Sequence, residues 1–443
     1  MRRTVAHLLL MSSLLLTACG MPTSGPAAKE GAGKPAASSG PLVFFSSQFK
    51  PVEEAEKMRQ VILTDAPVQT DYIPEDPGPF NDRITAEQQA GRVTVSLIGG
   101  LHGDFAPFVQ AGQMEDLTPL MQKLGDRGFP QTFADLSKMG TDKNYYVPWM
   151  QATYVLAISK KALEHLPPGA DVNALTYAQL REWGARMQQA TGQRRLGFPG
   201  GPKGLIHRFF QGYLYPSYTG SAGVVAFKSP EAAQMWQEFK AIWEVSNPAS
   251  ANYEFMQEPL LADEVWVAWD HTARLINAAR EKPNEMLLVP APAGPKGRGF
   301  MPVIAGLGVP KGAPNRAGAE QVIEYMTQPK QQVATLRELA FFPATSAPIP
   351  EDLSPGVRLE ADAVAKQAQA KDAMPSLLPI GLGGKNGEFN KVYLDTFNLI
   401  VLRGQPIQQV LEEQGKILQG IIDETKAACW PPDPKSDGPC KVR

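Results

Sequence analysis

Between Leu42 and Gly100 the chain alternates short apolar runs with helix-spaced segments, and few folds accept that order. Leu42-Val43-Phe44-Phe45 reads as a strand buried on both faces. Pro51 to Leu63 follows as a helix, because Val52, Ala55, Met58, Val61 and Ile62 recur at helical spacing. Val68 to Tyr72 gives a second strand, Pro79 to Ala90 a second helix, and Val93 to Ile98 a third strand ending at Gly99-Gly100. Such a βαβαβ series closes as a parallel, doubly wound sheet, since each crossover lays a helix across one face.

The rest of the chain extends this α/β pattern. Thr118-Pro119 and Ser229-Pro230 set a hydroxyl before a proline, and Thr176-Tyr177-Ala178-Gln179 fits a capping box, so helices are predicted to start there. After Ser229, the helical spacing of Met235, Trp236, Phe239, Ile242 and Trp243 predicts a core face. Val265 to Trp269, Met286 to Pro290 and Ala305 to Val309 are strand candidates; Ala317 to Thr327 and Pro406 to Lys426 are helix candidates. About 400 residues beyond the N-terminal region exceed what one core serves, so at least two domains are expected.

That N-terminal region has its own chemistry. Arg2 and Arg3 precede an apolar stretch from Val5 to Ala18, the layout of a secretory signal, and the stretch is too short for a spanning helix. Leu16-Thr17-Ala18-Cys19 resembles the bacterial lipobox, so cleavage after residue 18 and lipid on Cys19 are expected. Residues 19–40 then form a flexible Gly/Pro/Ala/Ser tether reaching on the order of 25 Å. Cys429 and Cys440 remain as an even pair flanking a proline-rich loop, which in an oxidising compartment predicts a disulfide in the tail, 429–443.

Composition removes several functions. The net charge is −2 with no basic stripe, which leaves nucleic-acid binding unsupported. There is no G-x-S-x-G, H-E-x-x-H, Walker A or C-x-x-C motif, so no catalytic residue is assigned and no cofactor is expected. His102-Gly103-Asp104 and Asp270-His271 lack dedicated metal-site spacing, and no metal is assigned.

Ligands of open α/β sheets sit beyond the carboxyl ends of strands. On this reading Gln48 and Phe49, His102 and Asp104, Trp149 and Gln151, and Trp269, Asp270 and His271 all lie there. Indole rings beside amides and carboxylates suit a sugar, whose C–H face packs on an aromatic while its hydroxyls take hydrogen bonds. Trp149 and Trp269 are read as stacking residues, with core packing as the alternative; Asp270 either binds ligand or caps the helix from Thr272 to Arg280.

At these residues the chain resembles the extracellular solute-binding proteins that feed ABC importers, in their maltose-binding-protein-like carbohydrate branch. Leu42 to Gln48 is similar to the family's opening strand and first ligand loop, and Val95 to Leu117 to its third strand and following helix. Tyr146-Val147-Pro148-Trp149 resembles the first crossover between lobes. Val267 to Asp270, Pro290 to Pro295 and Gly306-Leu307-Gly308-Val309 resemble the second.

The resemblance implies a periplasmic-binding-protein-like fold: two doubly wound lobes joined by a multi-strand hinge, with a ligand cleft between them. Lobe I would hold residues 41–150 and 304–347, and lobe II residues 151–303 and 348–428, with crossings near Gln151, Ile304 and Pro348. It adds Gly306, Phe389 and Asn390 to the ligand set. It further implies a monomer that binds a sugar, carries no cofactor, partners a membrane permease, and sits lipid-anchored on the outer face of a membrane. Two other readings stand beside it: a polyamine held by Asp76, Asp104 and Asp270, and a lipid-anchored enzyme acting on glycans.

Overall fold

The computed structural model describes residues 42–443. The export signal, Cys19 and the tether lie outside the described residues.

The chain lays down β1 (Leu42–Ser46), β2 (Thr70–Pro74), β3 (Leu97–Leu101) and β4 (Val147–Ala152), then passes through one residue into β5 (Tyr154–Ser159). After these come β6 (Leu196–Gly197), β7 (Val267–His271), β8 (Met286–Val289), β9 (Arg298–Phe300), β10 (Val303–Gly308), β11 (Phe342–Pro343) and β12 (Ala373–Pro375). A six-stranded sheet runs in the order β11-β4-β10-β3-β1-β2, and a four-stranded sheet in the order β6-β7-β5-β8.

The βαβαβ expectation sets the heart of the first sheet. Phe44 of β1 pairs in parallel with Tyr72 of β2 and Leu97 of β3. Next to them β10, β4 and β11 each run antiparallel to a neighbour, so the sheet is mixed. The third strand is shifted from its expected place, pairing from Leu97 and continuing through both glycines. Gly99 belongs inside it because a Cβ there would meet the Phe44 ring at 2.9 Å.

Each sheet anchors its own core. Phe44, Tyr72, Leu97, Trp149 and Leu307 pack around the first. Leu156, Trp183, Phe209, Trp236 and Trp269 pack around the second, joined by the closing helices. Ser229 accepts from Ala232 N as the expected cap, and the helix Pro230–Glu244 buries Met235, Trp236, Phe239 and Ile242. Thr176 and Gln179 exchange both bonds of the capping box. Thr118 is itself helical and caps nothing; its hydroxyl accepts from Asn144 N at 3.0 Å.

The chain passes between the two sheets at Thr153, again from β8 to β10 through β9 and Met301-Pro302, and leaves the first sheet a third time between β11 and the helix Pro355–Gln369; β9 itself pairs with β12. In the first sheet β4 runs on to Ala152, two residues beyond the expected end of lobe I. At the first connection a buried hub forms: Thr153 Oγ1 donates to the Met301 carbonyl at 2.9 Å, and Gln367 Nε2 donates to Thr153 Oγ1 at 3.1 Å. Tyr213 donates its hydroxyl to the Tyr154 carbonyl at 2.9 Å. Cys429 and Cys440 are bonded, and between them Asp433 accepts from Ser221 Oγ while Lys435 donates to the Gly140 carbonyl, both at 2.9 Å. Among the described residues no helix is long and apolar enough to cross a membrane.

Candidate functional site

Three ionisable groups are hemmed in by protein on most sides yet keep an open edge: Asp104, Arg208 and His271. Each is half-buried, with polar atoms still reachable by solvent. Asp104 stands on the six-stranded lobe, and Arg208 and His271 on the four-stranded lobe. Leu101 and Phe341 pack against both principal cores, and the Pro379 carbonyl comes within 3.6 Å of the Cβ position of Gly103, so the lobes meet along this edge.

On the first wall, β1 and β3 deliver their loops side by side. Asp104 Oδ2 accepts from Ser47 Oγ at 2.6 Å and from Leu101 N at 2.9 Å, while Gln48 Nε2 donates to Ser47 Oγ at 3.0 Å. A Cβ on Gly100 would stand 3.1 Å from that carboxylate oxygen, so glycine makes room for it. Burial pushes the Asp104 carboxyl up, against the pull of its two hydrogen bonds. His102 is buried, with Nδ1 2.7 Å from Tyr146 Oη and Nε2 without a partner; burial pulls its pKa down to about 4 and keeps it neutral.

The second wall begins where β7 ends. His271 caps the helix Thr272–Glu281 by accepting from Ala273 N through Nδ1, which leaves the proton on Nε2. Burial, and then Arg274, pull its pKa down to about 3. Arg274 donates to the carbonyls of Glu254 at 2.9 Å and Lys203 at 3.3 Å, and its guanidinium lies 4.4 Å over the ring of Phe255. Arg208 donates to Gln211 Oε1 at 2.9 Å, and Gln211 Nε2 donates to Asn390 Oδ1 at 3.0 Å. Arg208 and Gln211 lie on consecutive α and π turns, Ile206–Phe209 and Phe210–Leu214; such an interruption of helical pitch is frequent at functional sites.

Several expected ligand residues are committed elsewhere. Trp149 is wholly buried among Phe44 and Phe49. Trp269 is equally buried, its ring stacked on Tyr154 at 4.7 Å and crowded by Phe209 and Tyr213. Neither indole offers a free face, so the stacking expectation gives way to core packing. A strand-end position does not say which way a side chain points.

Phe49, at φ 54°, is edge-on to Trp149 and Phe341, and Phe389 packs on Tyr393 and Trp430. Gly306 lies under Tyr146, whose ring a Cβ would strike, so it serves packing and contacts no open space. Asp270 is neither a cap nor an open acceptor: its oxygens take His271 N at 2.7 Å and Met256 N at 3.0 Å, and burial raises its pKa to about 7. Asp76 is exposed and paired with Lys50 at 2.5 Å. Gln151 spends its amide N–H on the Pro343 carbonyl at 2.8 Å, tying β11 to β4. Gln48, Asp104, His271 and Asn390 keep places on the crevice walls, with His102 just behind.

Sequence reasoning passed over Arg208, Gln211, Phe255 and Arg274. The available signal was Pro199-Gly200-Gly201-Pro202-Lys203-Gly204, a glycine-rich loop leading into a helix. Its parent strand β6 is two residues long and shows no period. Gly201 is required there because a Cβ would stand 2.6 Å from the Asn252 carbonyl.

Residues 64–333 match the family described as bacterial extracellular solute-binding protein. Among curated proteins compared by sequence, none matches. Solved structures with the same fold include a maltose-bound MalE3 of T. maritima, with 19% identity, TM-score 0.68, and coverage of 86% of this chain and 99% of that one. The sugar-binding protein MalE of Xanthomonas citri aligns at 14% identity and TM-score 0.70, over 86% of this chain and 97% of that one. UgpB of Mycobacterium tuberculosis, in complex with glycerophosphocholine, aligns at 17% identity and TM-score 0.66, over 87% and 99%. At these identities the likeness carries the two-lobed fold.

Proposed function

The chain belongs to the bacterial extracellular solute-binding proteins, which makes it an exported receptor, and we propose that its solute is a carbohydrate delivered to an ABC-type permease. The observation that carries this reading is the crevice between two lobes, walled by hydrogen-bonding groups that are fixed in place. Asp104 and Gln48 belong to the six-stranded lobe, and His271 Nε2–H, Arg208 and the Gln211–Asn390 pair to the four-stranded one. Directional donors and acceptors of this kind match a ring of hydroxyls, and Phe255, partly exposed beneath the Arg274 guanidinium, adds apolar surface beside them. Maltose in the T. maritima relative and the sugar-binding description of the X. citri one agree with the choice.

A solute touching both walls stabilises only the closed arrangement, and a permease that distinguishes closed from open then senses occupancy. The hub at Thr153 sits where such a hinge would turn. A polyamine is poorly matched: Asp270 is buried and occupied, Asp76 is paired, and two guanidinium groups stand on the second wall. The lipobox residues Leu16-Thr17-Ala18-Cys19 support anchoring through Cys19, which would hold a monomeric receptor near its permease at high effective concentration.

Titrating the mature chain with a panel of mono- and oligosaccharides while following tryptophan fluorescence tests the reading. Saturable change with the sugar recovered intact is expected. Cleavage of the sugar, or a response to spermidine alone, overturns it. Mass spectrometry of the mature N-terminus checks the lipid: an unmodified cysteine removes the anchor.

A further inference from the structure

We infer that the solute carries a negatively charged group, a carboxylate or a phosphate, which seats on Arg208 beside Arg274; this rests on the solute-receptor reading and narrows the substrate class. Arg208 is half-buried on the turn Ile206–Phe209, and no carboxylate among the described residues lies within ion-pairing distance of it. Its one hydrogen bond among them goes to the neutral amide of Gln211. A guanidinium has five N–H donors and keeps its proton, so most of its capacity and all of its charge remain unmatched.

One sequestered arginine shows the matched alternative. Arg298, nearly sealed, has Asp372 at 3.5 Å. Dehydrating a charge without a counter-ion is costly, so an uncompensated guanidinium in a crevice implies a partner supplied from outside.

Arg274 reinforces the point. Its bonds go to two carbonyls and its face to Phe255, and it too lacks a paired carboxylate among the described residues. The positive charges of Arg208 and Arg274 are both felt at His207 and at Tyr154. His207 is 8% exposed, its Nδ1 has no partner, and burial together with the two arginines holds it neutral. The nearby Asp270 has both oxygens taken by backbone N–H groups. The amide chain from Asn390 through Gln211 fixes the guanidinium plane, as bidentate recognition of a carboxylate or phosphate requires.

The test uses the mature chain and its Arg208→Gln and Arg208→Lys variants, each confirmed folded by its melting curve. Probes are inorganic phosphate and sulfate in thermal-shift measurements, then glucose, glucuronate and glucose 6-phosphate in calorimetric titrations at low ionic strength. At least one anion should stabilise the parent chain. An anionic sugar should bind about tenfold to a hundredfold more tightly than glucose, the range for a charge-assisted hydrogen bond. In Arg208→Gln that ratio should fall to about one, and Arg208→Lys should keep part of it. Preference for glucuronate identifies a carboxylate, and preference for glucose 6-phosphate a phosphate. No response to any anion, or the same response in Arg208→Gln, overturns the inference; glucose or another neutral sugar binding in that case leaves the receptor reading intact. Arginine-dependent stabilisation by phosphate or sulfate, with no sugar bound, keeps the anion site and removes the carbohydrate.

Discussion

The two walls of the crevice are finished to different degrees. On the six-stranded lobe, Asp104 is satisfied by Ser47 and Leu101, and Gln48 braces the serine. On the four-stranded lobe, Arg208 and Arg274 bring two positive charges that bond only to amides, carbonyls and a ring. The first wall has one carboxylate oxygen anchored twice by protein, whereas the second carries charge that no protein group among the described residues matches. Binding energy that distinguishes one solute from another should therefore reside mainly on the second wall, where an unsuitable ligand leaves a desolvated charge unmatched.

Trp269 tests that assignment most severely. If the ring supports the second wall from within the core, Trp269→Ala costs about 3–5 kcal/mol of stability, read by denaturant unfolding. A weakened affinity with an unchanged unfolding midpoint would instead put the indole on the ligand side and redraw the wall. On the first wall, Asp104→Ala removes the acceptor of both Ser47 Oγ–H and Leu101 N–H. A loss of about 1–3 kcal/mol is expected, and no loss would show that the wall is less firmly anchored than its hydrogen bonds suggest.

Proton linkage gives a finer comparison. Glu360, on the helix Pro355–Gln369 that packs against Thr272–Glu281, is buried with neither oxygen bonded, and burial holds its carboxyl far above the usual range. The folded state therefore binds this proton more tightly than the unfolded chain does, and stability falls as pH rises from the unfolded value near 4.5 toward the folded one. Asp270, raised to about 7, acts in the same direction between about pH 4 and 7. Glu360→Gln should raise the melting temperature at pH 8 more than at pH 4, and an equal rise at both would disprove the linkage. The smallest effect is reserved for a site on neither wall: Thr176→Ala removes a helix cap, costs about 1 kcal/mol, and should leave solute affinity untouched in the same titrations.

Much of the fold was legible because hydrophobic period and caps are local. The β1–β2–β3 order, the Ser229 and Thr176 caps and the core face of Trp236 were all readable from nearby residues. The short β6 and the antiparallel additions to the first sheet were not, because two residues carry no period and pairing partners lie far apart in sequence. Of the residues named from the sequence, Gln48, Asp104, His271 and Asn390 are half-buried and so remain candidates for contact with a solute. Trp149 and Trp269 misled, since an indole beside polar groups at a strand end has the same sequence signature whether it faces solute or core.

By itself the sequence determined the α/β alternation, the paired cysteines of the tail and the absence of a familiar catalytic motif. These depend on residue type and spacing along the chain. Only the tertiary structure decided that Trp269 is sealed by Tyr154 and Phe209, that Asp270 is consumed by backbone, and that Arg208 lacks a counter-ion. Whether a charge is matched depends on groups brought together from distant segments, and no local pattern records which of them arrive.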